Sequence, residues 1–113
     1  MIEARTYYNA SERRVSLEVS GHAGLAAHGE DIVCAAASIL VYTFAQIVTA
    51  LDGTGDIIEQ DISISSGDAV VEAVLRDDDG LAEAIRAMFY TQTGFRLLES
   101  GYPDRVRIIT DEA

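Results

Sequence analysis

Residues 32–51, IVCAAASILVYTFAQIVTAL, contain no charged side chain and decide how the rest of the chain must fold. Apolar side chains occupy nearly the whole circumference of a helix with this sequence, so it must be covered on more than one side. Asp31 predicts its start, because an N-cap carboxylate accepts hydrogen bonds from the unpaired N–H groups of the first turn. Asp52 and Gly53 predict its end. The segment is therefore a buried helix, and a second subunit is one source of its cover.

The same run is also about the length that spans a bilayer. Polar residues such as Gln46 and five alanines lower its hydrophobicity. Acidic residues, Asp31 and Asp52, stand at both ends with no basic anchor. The sequence therefore favours a core helix over a membrane span.

Alternating segments occur in pairs on both sides of this helix. Residues 2–8 and 14–20 alternate apolar and polar side chains around a polar turn, which predicts a β-hairpin. Residues 57–64 and 69–75 form a second such pair, and Gly67 is the permissive position of the turn between them. The long helix is therefore expected to connect two hairpins.

A second helix and a last strand complete the predicted fold. Apolar residues recur at helical spacing from Leu81 to Leu97, and the helix is expected to end near Gly101. Residues 105–110 alternate again as a strand. The order β-β-α-β-β-α-β predicts an α+β fold with a mostly antiparallel sheet and two packed helices. A length of 113 residues predicts one domain over residues 1–113.

The charge balance limits the classes of partner. Eight Lys and Arg against 19 Asp and Glu give a formal net charge of −11. Such a surface repels phosphate backbones and anionic lipid, so neither nucleic acid nor a membrane surface is an expected partner. A basic protein would be attracted, although an acidic balance also simply keeps proteins soluble.

Cysteine and glycine usage limits the cofactor classes and the compartment. A single cysteine excludes an intrachain disulfide, and no spacing resembles a zinc site. The glycines match neither a dinucleotide-binding nor a P-loop pattern. The N-terminus lacks the apolar core of a secretory signal. The sequence therefore predicts a cytoplasmic protein without a metal or cofactor.

Residues 21–38, GHAGLAAHGEDIVCAAAS, contain the candidate catalytic residues. Cys34 follows the Asp31 cap by three residues and so lies in the first helical turn, where backbone N–H groups and the helix dipole stabilise a thiolate. A nearby imidazole would make this thiolate an activated nucleophile, and His22 is the candidate base.

The loop between histidine and cysteine is rich in glycine. Gly21, Gly24 and Gly29 give it the conformational freedom to fold His22 back toward the sulfur. His28 is a rival base that is nearer to the cysteine in sequence, but it lies in the middle of the loop, where exposed residues are common. The loop therefore favours His22 as the base.

Each of these residues also has a purely structural interpretation. A lone cysteine in an apolar helix is commonly an inert core residue. His22 can bond a backbone group at a strand end, and Asp31 can act as a cap alone. Ser38, one turn beyond Cys34, can bond near the thiolate or return its hydroxyl to the carbonyl of residue 34. Residue type by itself leaves these alternatives open.

A specific set of positions in this segment matches a known pattern. It comprises Gly21-His22-Ala23, Gly29, Asp31 to Ala36 and Ser38, with the same interval from histidine to cysteine. The set resembles the signature of the ribosomal-processing cysteine protease family, called Prp. The order of elements along the whole chain and Gly101-Tyr102-Pro103 before the last strand are also similar to that family.

The resemblance implies a substrate class and an assembly. Members of the family are bacterial homodimers that remove an N-terminal extension from ribosomal protein number twenty-seven of the large subunit. The substrate is a basic ribosomal protein precursor, which suits the acidic surface of this chain. The cleavage site of that family follows aromatic residues, which require an apolar pocket.

By motif position, the resemblance implies that Cys34 is the nucleophile and His22 the general base, with Asp31 and Ser38 at further motif positions. Cys34 would attack a peptide carbonyl, and His22 would take the thiol proton and pass it to the leaving amine. The N–H groups of the first helical turn are expected to hold the oxyanion. Two other functions stay open: a non-catalytic ribosome-associated or assembly module, and a different Cys–His acyl-transfer enzyme.

Overall fold

The computed structural model describes residues 1–24 and 31–112, which form one five-stranded sheet and two helices. In chain order the elements are β1 (Ile2–Asn9), β2 (Arg14–Ser20), α1 (Ile32–Gly53), β3 (Ile57–Ser65), β4 (Asp68–Leu75), α2 (Asp78–Gly101) and β5 (Val106–Glu112). This order confirms the predicted α+β fold.

The strands lie in the order β3-β4-β2-β1-β5. Within each hairpin the two strands pair antiparallel, β1 with β2 and β3 with β4. The two hairpins join because β2 also pairs antiparallel with β4. Among the described strands, only β5 pairs in parallel, alongside β1 at the edge of the sheet. The sheet of the described residues is therefore mostly antiparallel, as predicted.

One face of the sheet is covered by the helices and the other is open. Along β1, Ile2, Ala4 and Thr6 are buried against the helices, whereas Glu3 and Arg5 point to the opposite face. The alternation follows from the strand period of two. Edge strand β3 is mostly exposed, because the helices leave most of its length uncovered.

Helix α1 buries a single stripe of side chains and leaves its outer face exposed. The buried stripe consists of Val33, Ala37, Val41, Phe44, Ala45, Val48 and Leu51. Helix α2 covers a second side, where Gly94 approaches Leu40 so closely that a Cβ at residue 94 would overlap the leucine side chain. Ile32 and Ile39 on the outer face are 64% and 62% exposed. The expected cover on more than one side is therefore only partly supplied by residues 1–24 and 31–112.

By length and composition, Ile32–Gly53 would be able to cross a membrane. In the structure, however, its buried stripe packs in one core with sheet residues such as Leu17 and Val71. An apolar helix that packs in this way fits the core-helix interpretation that the sequence favours.

A buried hydrogen bond joins α2 to the central part of the sheet. The Gln92 side-chain amide donates to Thr6 Oγ1 at 2.6 Å, and both residues are buried. Buried polar groups are costly unless they are paired, so this bond fixes α2 at one position on β1.

The Thr6→Val substitution keeps the shape of the side chain but removes the acceptor of this bond. We expect the free energy of unfolding, measured by urea denaturation, to fall by about 1–3 kcal/mol because the Gln92 amide is left unpaired in the core. The double variant Thr6→Val/Gln92→Leu removes both partners and should recover most of the loss. A double variant no more stable than Thr6→Val would contradict this account.

Candidate active site

The first turn of α1 is fixed by the carboxylate of Asp31. Its Oδ1 accepts hydrogen bonds from the backbone N–H groups of Val33 and Cys34, at 2.9 and 3.0 Å. The Ala35 N–H donates to the Asp31 carbonyl at 3.0 Å. Asp31 is therefore the N-cap, as predicted, and Cys34 lies in the first helical turn.

The hydrogen bonds of this cap contradict the prediction of which groups hold the oxyanion. The N–H groups of the first helical turn near Cys34 are expected to hold the oxyanion, but those of residues 33–35 already donate to Asp31. The expectation is wrong for these three groups, because the cap that starts the helix also uses the donors of its first turn.

The donor that reaches the sulfur comes from the preceding loop. The backbone N–H of Ala23 donates to Cys34 Sγ at 3.4 Å, and the cysteine is half-buried. This contact fixes the position of the sulfur relative to the loop backbone. The loop therefore approaches the thiol through Ala23, the residue that follows His22.

The His22 side chain is exposed and lies over the turn of the second hairpin. A Cβ at Gly67 would lie only 2.5 Å from His22 Nε2. The backbone supports this approach, because the Gly21 N–H donates to the Gly67 carbonyl at 2.9 Å. Within residues 1–24 and 31–112, no hydrogen bond joins the imidazole to Cys34 Sγ, although both side chains line one cleft.

The cleft has a volume of about 240 Å³ and two walls. Cys34, Ser38 and Tyr42 follow one another along one side of α1 and form the first wall, and residues 64–69 of the second hairpin form the other. Ser38 is exposed, and within the described ranges its hydroxyl makes no hydrogen bond to the Cys34 carbonyl. Of the predicted site residues, the cleft brings together Gly21, His22, Cys34 and Ser38.

The loop glycines meet fixed conformational requirements. Gly21 has a φ of +91°, and a Cβ there would overlap the carbonyl oxygen of Met1. Gly24 also has a positive φ, of +67°. These two positions need glycine for shape as well as for the freedom that the sequence suggested. Gly29 and the rival base His28 lie outside the described residues.

Two contacts of the site were missed from the sequence. Gly67 was predicted only as a turn residue, and its closeness to His22 adds a steric requirement. Arg105 was predicted only as the start of a strand, yet its Nη1 donates to the carbonyls of Ala23 and Gly24. Both contacts join segments distant in sequence, so local patterns gave no signal for them.

The arrangement suits nucleophilic attack on an acyl carbon. A half-buried thiol accepts a backbone hydrogen bond and shares an open cleft with an exposed imidazole. Among the residues that the structure describes, no group of three or more His, Cys, Asp or Glu is arranged to hold a metal ion.

The family model described as cysteine protease Prp matches residues 1–107. The chain belongs to the Prp family. It is therefore an enzyme, a cysteine protease, and the alternative of a non-catalytic assembly module is removed. No curated protein matches the chain.

Solved structures share the fold of this Prp-family chain. Two are complexes of the ribosomal processing protease Prp from S. aureus, one with a covalently linked product peptide and one with a substrate peptide. Their TM-scores are 0.72 and 0.68, each at 22% identity over 97% of this chain and 99% of that chain. SMU.848 from Streptococcus mutans has a TM-score of 0.66 at 23% identity, over 100% and 96% of the two chains. At these identities the similarity shows the fold.

The Gly67→Ala substitution tests whether the second hairpin must leave room for His22. The new Cβ would collide with the imidazole, so we expect peptidase activity to fall about tenfold or more. Activity is measured by peptide cleavage and stability by thermal unfolding.

Gly55→Ala is the matched control for this substitution. Gly55 has a φ of +82°, close to the +78° of Gly67, but a Cβ there meets nothing within 4 Å. Both variants should lose about 1–2 kcal/mol of stability from backbone strain, and only Gly67→Ala should lose activity. Equal activity in the two variants would contradict the steric role of Gly67.

Proposed function

We propose that this chain is a ribosomal-processing endopeptidase with Cys34 as nucleophile and His22 as general base. Its substrate is the precursor of ribosomal protein number twenty-seven of the bacterial large subunit, from which it removes an N-terminal extension. The hydrogen bond from the Ala23 N–H to Cys34 Sγ carries the proposal, because it brings the backbone next to His22 against the thiol. The two S. aureus structures, a processing protease with bound peptides, support the substrate class.

The reaction proceeds through a thioester. His22 accepts the thiol proton, the sulfur attacks the carbonyl carbon of the scissile peptide, and the C–N bond breaks as His22 protonates the leaving amine. Water then hydrolyses the thioester with His22 as base. Once the C–S bond forms, the sulfur loses its charge, and the Ala23 N–H becomes free to donate to the neighbouring oxyanion.

Asp31 and Ser38 support the reaction in different ways. Asp31 holds the first turn of α1, and with it Cys34, by its two capping hydrogen bonds. Ser38 presents an exposed hydroxyl on the cleft wall one turn beyond the nucleophile, where it is accessible to a bound peptide.

The cleft offers an apolar subsite for the aromatic residues that precede the cleavage site in this family. Val41 and Tyr42 on the helix face Ile64 and Ala69 of the second hairpin across the cleft. Tyr42 is 54% exposed, which leaves its ring available for stacking with an aromatic side chain. The net charge of −11 favours encounter with a basic ribosomal protein.

The test mixes the purified protein with the precursor ribosomal protein and follows N-terminal trimming by mass spectrometry. Cys34→Ala and His22→Ala should each lower the trimming rate by about 10³-fold or more, because they remove the nucleophile and its base. His28→Ala is the matched histidine control and should trim at the normal rate.

Three outcomes would contradict the proposal. Trimming that survives in Cys34→Ala would exclude the thiol as nucleophile. Loss of trimming in His28→Ala but not in His22→Ala would make His28 the base. Failure of the unmodified protein to trim the precursor, while it cleaves another acyl substrate through Cys34, would support a different Cys–His enzyme.

We further propose that the protein is a cytoplasmic homodimer of single-domain protomers. Tyr90 and Leu97 lie two turns apart on one face of α2 and are 68% and 71% exposed, so both side chains are available for burial against a second protomer. Sedimentation equilibrium should give twice the chain mass of 12.2 kDa. Leu97→Asp should shift the protein to monomer, whereas Ser11→Asp in an exposed turn should leave the dimer intact. A monomer before substitution would exclude the dimer.

A further inference from the structure

We propose that Arg105 is a positioning residue that holds the Ala23 N–H on the thiol of Cys34. The proposal rests on the proposed role of Cys34 as nucleophile. Arg105 is half-buried, and its Nη1 donates to the carbonyl of Ala23 at 3.1 Å and to that of Gly24 at 3.0 Å. The guanidinium therefore binds the backbone directly after the group that contacts the sulfur.

One nitrogen reaches two consecutive carbonyls because the backbone turns at Gly24. Its φ of +67° is a left-handed conformation, which lets the two carbonyls point toward the same donor. The other end of the segment is held by the hydrogen bond from the Gly21 N–H to the Gly67 carbonyl. Residues 21–24 are thus held at both ends, and the Ala23 N–H lies between the two supports.

The backbone of Arg105 is itself firmly placed. Its N–H donates to the Tyr102 carbonyl at 2.9 Å, and its carbonyl accepts from the Ile2 N–H at 2.8 Å. These bonds tie Arg105 to the end of α2 and to the start of β1. The segment Gly101-Tyr102-Pro103, which the sequence singled out, thereby contributes to the site through Arg105.

The charge and shape of arginine suit this task. Backbone carbonyls are acceptors, and hydrogen bonds from a charged donor are roughly twice as strong as neutral ones. Without the guanidinium, the carbonyls of Ala23 and Gly24 lose their shared donor and the segment can rotate. The Ala23 N–H would then leave the sulfur, so the thiol would lose a neighbour that supports its reaction at neutral pH, and the preceding residue, His22, would be displaced.

The experiment compares Arg105→Met, Arg105→Lys and Arg107→Met with the unmodified protein. Arg107→Met is the matched control, because Arg107 is exposed and makes no ion pair or side-chain hydrogen bond with the described residues. Iodoacetamide alkylation is followed by mass spectrometry at about pH 7 and about pH 10. Cys34 is the single cysteine, so each adduct reports on the site.

We expect Arg105→Met to lower the ratio of the two alkylation rates, at about pH 7 relative to about pH 10, by about threefold or more. A looser loop alone would change the access of iodoacetamide to Cys34, and the alkylation rates at both pH values would change by the same factor. Precursor trimming should show a kcat about tenfold lower with KM within about twofold. Arg105→Lys, which keeps a charged donor, should restore part of both effects, and Arg107→Met should match the unmodified protein.

Two results would overturn the proposal. One is an unchanged rate ratio in Arg105→Met. The other is a rate ratio and a kcat that stay as low in Arg105→Lys as in Arg105→Met, although the melting temperature of Arg105→Lys equals that of the unmodified protein. Failure of the unmodified protein to trim the precursor would count against the proposed substrate alone, because the alkylation ratio tests Arg105 without any substrate.

Discussion

The cap formed by Asp31 is the constraint on which the rest of the site depends. It begins α1 at Ile32 and places three consecutive side chains in three environments: Ile32 in solvent, Val33 in the core and Cys34 at the cleft. It also uses the N–H groups of residues 33–35. Because these donors are occupied, the hydrogen bond that reaches the sulfur comes from the loop, through the Ala23 N–H.

A loop that performs this task has to be held in place, and its glycines serve that requirement. Gly21 passes so close to the Met1 carbonyl that a side chain would overlap it. Gly24 turns the backbone so that two carbonyls meet one guanidinium. Rigid support of this kind is what catalytic geometry needs, because small displacements of reacting groups are costly. Gly21 and Gly24 therefore allow the loop backbone to hold one fixed conformation, in addition to any freedom of movement that glycine gives.

The sequence predicted what depends on neighbours along the chain and missed what depends on the sheet. Alternation and helical spacing gave both hairpins, both helices and the Asp31 cap, because these patterns are local. The parallel pairing of β5 with β1 and the bond from Arg105 to Ala23, 82 residues away, follow from strand order. Neither the periodicity of a segment nor its end signals contain that information, so Arg105 and Gly67 were not recognised as parts of the site.

The register of the sheet explains why the candidate base and the hairpin turn meet. β2 pairs antiparallel with β4, and Ser20 stands opposite Asp68, so the end of β2 arrives beside the turn that contains Gly67. His22 is two residues beyond Ser20 and therefore lies over that turn. One wall of the cleft, on α1, bears the thiol, while the other belongs to the second hairpin. Side chains such as Ile64 can therefore be substituted without moving Cys34, provided that the turn keeps Gly67.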